Sequence, residues 1–298
     1  MWFKNLQLYR LPPKWHMAPG TLEQRLAAQP LKPCTGLNLQ TRGWVAPRDD
    51  GQLVYAQEKH YLIALGVEQK LLPGAVVNQA VKEQAEKLAK SQGFKPGRKQ
   101  LRDLKDQVSA ELLPRAFVRR RVTHAWLNPD SGWLIVDSAN AARAELVVET
   151  LRSTFTGSFA ATPLATNEST QSAMTAWLTA GEAPGAFELD QDCELKDASA
   201  GATVRYVRHG LEGKDIPAHI RGGKAATRLG LSWKQRIGFV LADPLQLKRV
   251  RFLEMEKAAE DAQTLDGDAQ FEADFTLMTG ELGKLLAELF KQLGGVTD

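Results

Sequence analysis

The sequence predicts an α+β protein with mainly antiparallel, curved sheets, a projecting helical hairpin and a C-terminal amphipathic helix. Strand-like segments follow one another without the regular alternation of strand and helix that a parallel sheet requires. Two helical patterns flank the turn at Pro96–Gly97, and a long apolar stripe of helical period lies near the end of the chain. With 298 residues, of which 43% are hydrophobic and 24% charged, the chain can bury a large core.

The first third of the chain predicts strands, one short helix and then the hairpin. Strands are expected in MWFKNLQLYRL, GWVAP, GQLVYAQ and KHYLIALGVEQKLL, with a helix in GTLEQRLAAQ. A helical-hairpin excursion is predicted over 73–113, since apolar residues recur at helical spacing on both sides of the turn. Its two stripes are Val77, Val81, Ala85 and Leu88, then Leu101, Leu104, Val108 and Leu112. Because each stripe is narrow, the two helices are expected to cover each other, with Glu83–Lys87 and Glu86–Lys90 as supporting pairs.

Residues 114–255 are predicted as a central sheet region that opens with an arginine-rich strand. Pro114 blocks helical continuation, so 115–126 is expected to be extended, with side chains alternating between two faces. One face carries Phe117, Arg119 and Arg121, and the other carries Val118 and Val122, which are expected to face the core.

The remaining segments predict two helices, then strands, then a final helix. NAARAELVVETLRSTF is expected to be a helix capped by Asn140, and NESTQSAMTAWLTAG a helix ended by Gly181. AFELDQDCELKD and ATVRYVRH are expected to pair as strands, followed by strands in KAATRLGLSW, RIGFVLAD and QLKRVRFLE. A polar loop is predicted over 256–270 and a C-terminal helix over 268–295, whose stripe is expected to be core and not a dimer seam. That stripe is Phe271, Phe275, Met278, Leu282, Leu285, Leu289 and Leu293.

Charge is segregated along the chain although the net charge is only +3. Residues 82–121 hold 12 Lys and Arg against 5 Asp and Glu, and residues 204–251 hold 11 against 3. The opposite imbalance is found in 140–203, with 3 against 9, and in 252–275, with 1 against 8. Two interpretations are open: a directional field that attracts an anionic partner, or basic and acidic segments that pair with each other.

Local signatures of catalysis are missing from the sequence. It contains no phosphate-binding GxxxxGK[ST] loop, no GxGxxG, no HExxH and no GxSxG, and its five histidines are widely spaced. Asp137 ends a predicted strand, where capping of the next turn is expected, and Cys34 is expected to be a small buried side chain. We therefore predict no catalytic residues, no metal and no cofactor, although acids that converge in three dimensions leave a nuclease possible. Two cysteines without a CxxC, and no signal peptide or membrane span, indicate a cytoplasmic protein.

Basic side chains on successive predicted strands are the candidate functional residues. Cations spread over several strands suit the phosphate oxygens of a duplex, which they contact without reading its sequence. Gly222–Gly223 is expected to allow close backbone approach, with Lys224, Ala226 and Arg228 then alternating onto one face. The candidate DNA-binding residues are Arg119, Arg121, Arg205, Arg208, His209, Lys224, Arg228, Lys234, Arg236, Lys248 and Arg249.

Four stretches resemble the bacterial RdgC family of recombination-associated proteins: the opening MWFKNLQLYRL, LLPRAF, HIRGGKAATRLGLSWKQRI and FEADFTLMTGELGKLLAELFKQLGG. The resemblance covers essentially the whole chain, so residues 1–298 are expected to be a single RdgC-like unit. It implies a non-catalytic, sequence-independent binder of double-stranded DNA that is associated with the nucleoid. It also implies a ring-forming homodimer that encircles DNA and restrains a RecA-type recombinase.

The resemblance suggests a role for the phenylalanine that shares a face of the arginine strand with Arg119 and Arg121. A ring closed by two subunits needs apolar contacts at its junctions, and Phe117 is the candidate dimer-interface residue; the alternative is that Phe117 packs under the hairpin of its own subunit. Two other functions stay open: a nuclease with a dispersed acidic site, and a protein adaptor that uses the acidic segments 186–197 and 254–274.

Overall fold

The computed structural model describes residues 2–253 and 267–297, which adopt an α+β fold. Their strands are β1 (Leu6–Arg10), β2 (Gln40–Val45), β3 (Val54–Gln57), β4 (His60–Leu71), β5 (Phe117–Asn128), β6 (Trp133–Asp137), β7 (Thr162–Pro163), β8 (Phe187–Asp197), β9 (Thr203–Tyr206), β10 (Lys224–Trp233), β11 (Ile237–Ala242) and β12 (Gln246–Phe252). Their helices are α1 (Pro19–Ala27), α2 (Gly74–Gln92), α3 (Arg98–Leu112), α4 (Ala141–Thr154), α5 (Thr170–Ala180), α6 (Asp215–Arg221) and α7 (Gly267–Gln292). The predicted α+β class with antiparallel strand pairing is confirmed.

The chain divides into two compact units. The larger comprises residues 1–17, 56–62 and 125–298, and the smaller comprises 18–55 and 63–124. In the larger unit the strand order is β6-β1-β12-β11-β10-β8-β9. The N-terminal strand is therefore paired on both sides, with Leu8 opposite Ile135 of β6 and Leu6 opposite Leu247 of β12.

The C-terminal helix α7 supplies a large part of the core of the larger unit. The six stripe residues from Phe275 to Leu293 are buried, which confirms the prediction of a core stripe, whereas Phe271 is only partly covered. Trp133 of β6 meets Phe290 edge to face at 5.2 Å, and the Trp233 indole of β10 donates to Glu288 at 2.9 Å. Side chains of α7 thus contact two strands of the sheet.

Among the described residues α7 starts at Gly267, one residue before the helix predicted over 268–295, and it overlaps the polar loop predicted over 256–270. Residues 267–270 are helical, so the polar loop predicted over 256–270 is wrong for these four, and 256–266 lie outside the described residues. The first turn is exposed and carries Asp268, whose charge is favourable at a helix N-terminus. Its polar sequence is compatible with a helix because nothing needs to be buried there.

Two predicted helix ends are confirmed, the start of α4 at Asn140 and the end of α5 at Gly181. The Asn140 carboxamide oxygen accepts from the backbone N–H of Arg143 at 3.2 Å, as expected for the cap of α4. Gly181 ends α5 in the left-handed conformation, with φ +80°. Helix α6 was not predicted, because its seven residues are too few for a periodic pattern.

The smaller unit contains helices α1–α3 with the strand order β2-β4-β5. Gly43 of β2 is required by close backbone approach, since a Cβ there would lie 2.3 Å from the Leu31 nitrogen. Val77 of α2 and Val108 of α3 are buried, while most other residues of the two stripes are half-buried. This burial agrees with helices that cover each other.

The predicted Glu83–Lys87 pair is not formed in the described part of the chain, where Glu83 accepts from the Gln79 amide at 2.8 Å. None of the helices that the structure describes has the length and apolar character needed to cross a membrane.

Candidate nucleic-acid interface

The arginine-rich strand β5 is open to solvent on both faces over its first half. Phe117 is 85% exposed, and Val118 and Val122 are each 44% exposed, so the prediction that these valines face the core is wrong. Alternation separates the two faces of a strand but does not show which face another element covers. The covered half of β5 begins at Ala125.

The exposure of Phe117 also excludes the alternative that this ring packs under the hairpin of its own subunit. The backbone just before β5 is fixed by a buried cation, Lys70 of β4. Its ammonium group donates to the carbonyl oxygens of Leu113, at 2.9 Å, and Gly36. Such bonds satisfy a charge that is costly to bury. The exposed residues Phe117, Arg119 and Arg120 therefore follow an anchored turn.

A second group of candidates converges on Glu194 of β8. Arg205 of β9 donates from Nε to the Glu194 carboxylate at 2.9 Å, Thr227 of β10 donates at 2.9 Å, and the Arg228 Nε lies 3.8 Å away. Burial alone would raise the pKa of Glu194, but the bonds from Arg205 and Thr227 and the charge of Arg228 outweigh it and lower that pKa. Glu194 is therefore a charged carboxylate that holds cations from two neighbouring strands.

A β-bulge in β10 explains how Thr227 and Arg228 both reach Glu194. The register passes from Ala226 opposite Leu195 to Arg228 opposite Glu194, which leaves Thr227 as the extra residue. Ala226 is fully buried, as is Leu195 opposite it, so the prediction that Lys224, Ala226 and Arg228 alternate onto one face is wrong. The bulge shifts the alternation at this point and turns Arg228 outward.

Asp192 binds two further candidates. Its carboxylate accepts the backbone N–H of Arg208 at 2.9 Å and lies 3.4 Å from the Arg249 guanidinium. Arg208 and Arg249 have φ values of +50° and +54°, and Arg249 lies at a register shift between β11 and β12. Positive φ is uncommon for residues other than glycine and is found mostly where surrounding contacts impose it. The neighbouring Arg251 lies 3.9 Å from Asp190.

Lys234 and Arg236 lie in the β10–β11 turn and are turned towards α7. The Lys234 ammonium is 3.9 Å from Glu288 and lies over the Trp233 ring at 4.6 Å, and the Arg236 guanidinium is 3.8 Å from Glu281. These contacts join the turn to the C-terminal helix.

The last three candidates differ in their surroundings. Lys248 lies beside Arg228; burial, followed by the charge of Arg228, lowers the pKa of its ammonium group. Lys224 opens β10 opposite Asp197. His209 is exposed, with its ring 5.5 Å from that of Tyr206.

The structure thus brings four candidates together and separates the others. Arg205, Arg228, Lys248 and Arg249 line one pocket beside Asp192 and Glu194. Lys234 and Arg236 contact α7, while Arg119 and Arg121 belong to the smaller unit. The acids of 186–197 pair with cations of 204–251, so for these two segments the structure agrees with the internal-pairing interpretation.

Helices α2 and α3 and the turn between them carry further cations that are not among the candidate DNA-binding residues. All of them are exposed, and within the described residues none forms an ion pair: Lys82, Lys87, Lys90, Lys95, Arg98, Lys99, Arg102 and Lys105. The excess of positive charge in 82–121 was the signal that could have identified them.

The described residues contain no group of three or more His, Cys, Asp or Glu side chains placed to hold a metal ion. Within the described residues, Asp137, the acid at a strand end, contacts the start of β1 and not the turn after it, so the prediction that it caps this turn is wrong. Its carboxylate accepts the backbone N–H groups of Lys4 and Asn5, at 3.1 and 2.9 Å, and thereby fixes the entry to β1. Cys34 is buried, as predicted, with its thiol 3.2 Å from the Asn38 carbonyl oxygen.

Fold and site together define an α+β protein whose exposed cations are distributed over several strands and two helices. A family model described as "Putative exonuclease, RdgC" matches residues 1–296. The chain belongs to the RdgC family.

Curated relatives carry the name Recombination-associated protein RdgC. Those of Dechloromonas aromatica and Cupriavidus pinatubonensis are each 48% identical over 299 residues, covering 99% of this chain and 98% and 99% of the relative, respectively. That of Herminiimonas arsenicoxydans is 47% identical over 299 residues, with 99% and 98% coverage. This relationship supports a role in recombination.

Proposed function

We propose that the chain binds double-stranded DNA without sequence preference and acts in recombination through that binding. The observation that carries the proposal is the set of exposed cations on β5, α2 and α3 that form no ion pair within the described residues, Arg119 and Arg120 among them. Unpaired Lys and Arg are available to phosphate oxygens, which accept from them regardless of base sequence. Membership of a family whose relatives are named for recombination supports the same function.

The cations that pair with carboxylates are also accessible to DNA. The side chains of Arg205, Arg228 and Arg249 are 57%, 43% and 72% exposed. Exposed ion pairs contribute only about 0–1 kcal/mol each, so a phosphate group can replace Asp192, which is 30% exposed, beside Arg249 at small cost. Glu194 is only 12% exposed, and of its two arginines Arg228, at 3.8 Å, is the one that it holds less closely. Internal pairing therefore reduces the attraction of this surface for DNA without abolishing it.

The DNA proposal is tested by binding to unrelated duplexes over a range of salt concentrations. If about six phosphates are neutralised, the log–log slope is about −5, with little difference between sequences. The double substitution of Arg119 and Arg121 to Ala is expected to weaken binding to all sequences alike, whereas Arg143→Ala, at an exposed position of α4, is the matched control. A flat salt response, or strong preference for one sequence, contradicts the proposal.

We further propose that two copies form a ring around the duplex, with Phe117 at one junction. The support is the 85% exposure of the Phe117 ring in the open half of β5, where Val118 and Val122 are exposed on the opposite face, since large apolar side chains exposed near one another are typical of protein–protein contacts. Phe117→Ser is expected to lower the dimer fraction in light scattering, and to shorten retention of the protein on circular DNA. Phe94→Ser removes another exposed ring, 62% accessible, and is the control. Unchanged assembly, or equal loss in both variants, rejects the role of Phe117.

A ring on DNA restrains a RecA-type recombinase by occupying the duplex. The proposal expects that strand exchange decreases as the protein saturates the DNA, and that a fluorescent fusion follows the nucleoid. Both effects are expected to weaken when Arg119 and Arg121 are replaced. Inhibition that persists without DNA binding would instead indicate direct contact with the recombinase.

The proposed function needs no catalysis, whereas the description of the family model names an exonuclease. Incubation of labelled linear duplex with the protein and Mg²⁺ or Mn²⁺ separates the two functions. Stable DNA ends support the binding protein, and shortening of the ends that depends on protein and metal supports the nuclease. Pairing of acids of 186–197 with Arg205, Arg249 and Arg251 likewise reduces the attraction of this segment for the basic partner that the adaptor alternative requires.

A further inference from the structure

The pocket beside Glu194 has the charge and shape of an anion site. It contains about 550 Å³ of space, counting the part open to solvent, between β8, β9, β10 and β12. Arg205, Arg228, Lys248 and Arg249 line it together with the carboxylates of Asp192 and Glu194. Four cations against two carboxylates leave an excess of two positive charges, which suffices to balance a phosphodiester monoanion or a phosphate dianion.

The cations of the pocket differ in how closely a carboxylate contacts them. Glu194, with 12% of its side chain exposed, is saturated by Arg205 and Thr227, and Arg228 lies at the longer distance of 3.8 Å. Lys248 forms no ion pair within the described residues, although it lies close to Arg228. Two neighbouring cations are thus incompletely neutralised at one wall of the pocket.

Phosphate is the anion that suits this wall. A guanidinium group presents paired N–H donors to phosphate oxygens, and an ammonium group adds a compact charge beside it. We propose that the pocket binds a phosphate group through Arg228, Lys248 and Arg249, and that Glu194 is the internal carboxylate with which this phosphate competes. The phosphate belongs either to the DNA backbone or to a free phosphate compound, and only the first source rests on the proposed function.

Inorganic phosphate is the first probe. The unfolding temperature of the full chain is measured against phosphate concentration at fixed pH and ionic strength, with chloride as the balancing anion, because a ligand that binds the folded state raises its stability. Lys248→Met is expected to weaken phosphate binding about tenfold, the effect of losing a charged hydrogen bond. Glu194→Gln keeps an acceptor for Arg205 and Thr227 but removes the competing charge, and is expected to tighten binding. Lys291→Met, at an exposed position of α7 outside the pocket, is the control.

A 20-base-pair duplex is the second probe and identifies the source of the phosphate. Tighter duplex binding by Glu194→Gln, together with competition from inorganic phosphate, assigns the site to the DNA backbone. Unchanged duplex binding alongside altered phosphate binding assigns it to a free phosphate compound. If the wild type binds no duplex but retains the phosphate response, the DNA function fails and the site stands. The absence of a saturable phosphate effect in the wild type, or identical effects in all variants, overturns the site.

Discussion

Truncation of a leucine on α7 measures how much the C-terminal helix contributes to the larger unit. Leu285 is fully buried, so Leu285→Ala removes three carbon groups from the core. At about 0.8 kcal/mol for each group the transfer loss is roughly 2.4 kcal/mol, and the cavity raises the expected total to about 3 kcal/mol. Urea unfolding followed by tryptophan fluorescence is a suitable assay, because Trp133 and Trp233 contact residues of α7.

Leu277→Ala is the matched control, since the same substitution on the same helix removes a side chain that is 43% exposed. Its expected cost is below about 1 kcal/mol, since a partly exposed leucine loses less on truncation. Equal losses of unfolding free energy in the two variants would show that the stripe is not the core of the monomer. A large loss of unfolding free energy for Leu277→Ala that depended on protein concentration would refute the core interpretation. It would indicate that α7 forms a dimer seam.

Three further predictions concern protonation and capping. Burial lowers the pKa of His60 and of His124, so the folded state favours neutral rings. The contribution of these neutral rings to the free energy of unfolding is fully present above the ordinary histidine pKa of about 6.5, and it is lost as the pH falls through the lowered pKa values. Urea midpoints at pH 7.5 and 5.5 test this, and a midpoint that rises at pH 5.5 contradicts it. Burial, with the charge of Asp192, raises the pKa of Cys193 to about 11. Alkylation of this thiol at pH 8 is therefore expected to be about a hundredfold slower than that of an unperturbed thiol. Labelling of the native protein at the unperturbed rate would exclude a buried thiol. Asn140→Ala removes the cap of α4 and is expected to cost about 1 kcal/mol, whereas Asn140→Asp, which keeps an acceptor, serves as its control in the same unfolding assay.

Local sequence patterns predicted most elements of the fold, because burial imposes a period on any helix or strand that has one covered face. The stripe of α7 and the cap of α4 are examples, since each depends on residues close together in sequence. Helix α6 and strand β7 could not be predicted because they are too short to show a hydrophobic period.

The candidate site was less predictable, because its geometry depends on contacts between distant segments. The bulge at Thr227 decides which side chains of β10 face Glu194, and nothing in the local sequence marks it. The exposure of Val118 and Val122 likewise depends on the absence of a covering element within the described residues, which alternation does not reveal. The basic strands and the acidic strand were both recognised, but their register, and hence the individual ion pairs, could not be predicted from composition.

Under the proposed function, the ion pairs of Glu194 and Asp192 have a consequence for how the affinity for DNA would respond to ionic strength. When a phosphate displaces a carboxylate from an arginine, the carboxylate regains its own sodium or potassium ion, which offsets one counterion released from the duplex. Such an exchange adds contact without adding to the salt dependence. The steepness of that dependence is therefore expected to count Arg119, Arg120 and the lysines and arginines of α2 and α3, which form no ion pair within the described residues, more fully than the ion-paired cations of the larger unit.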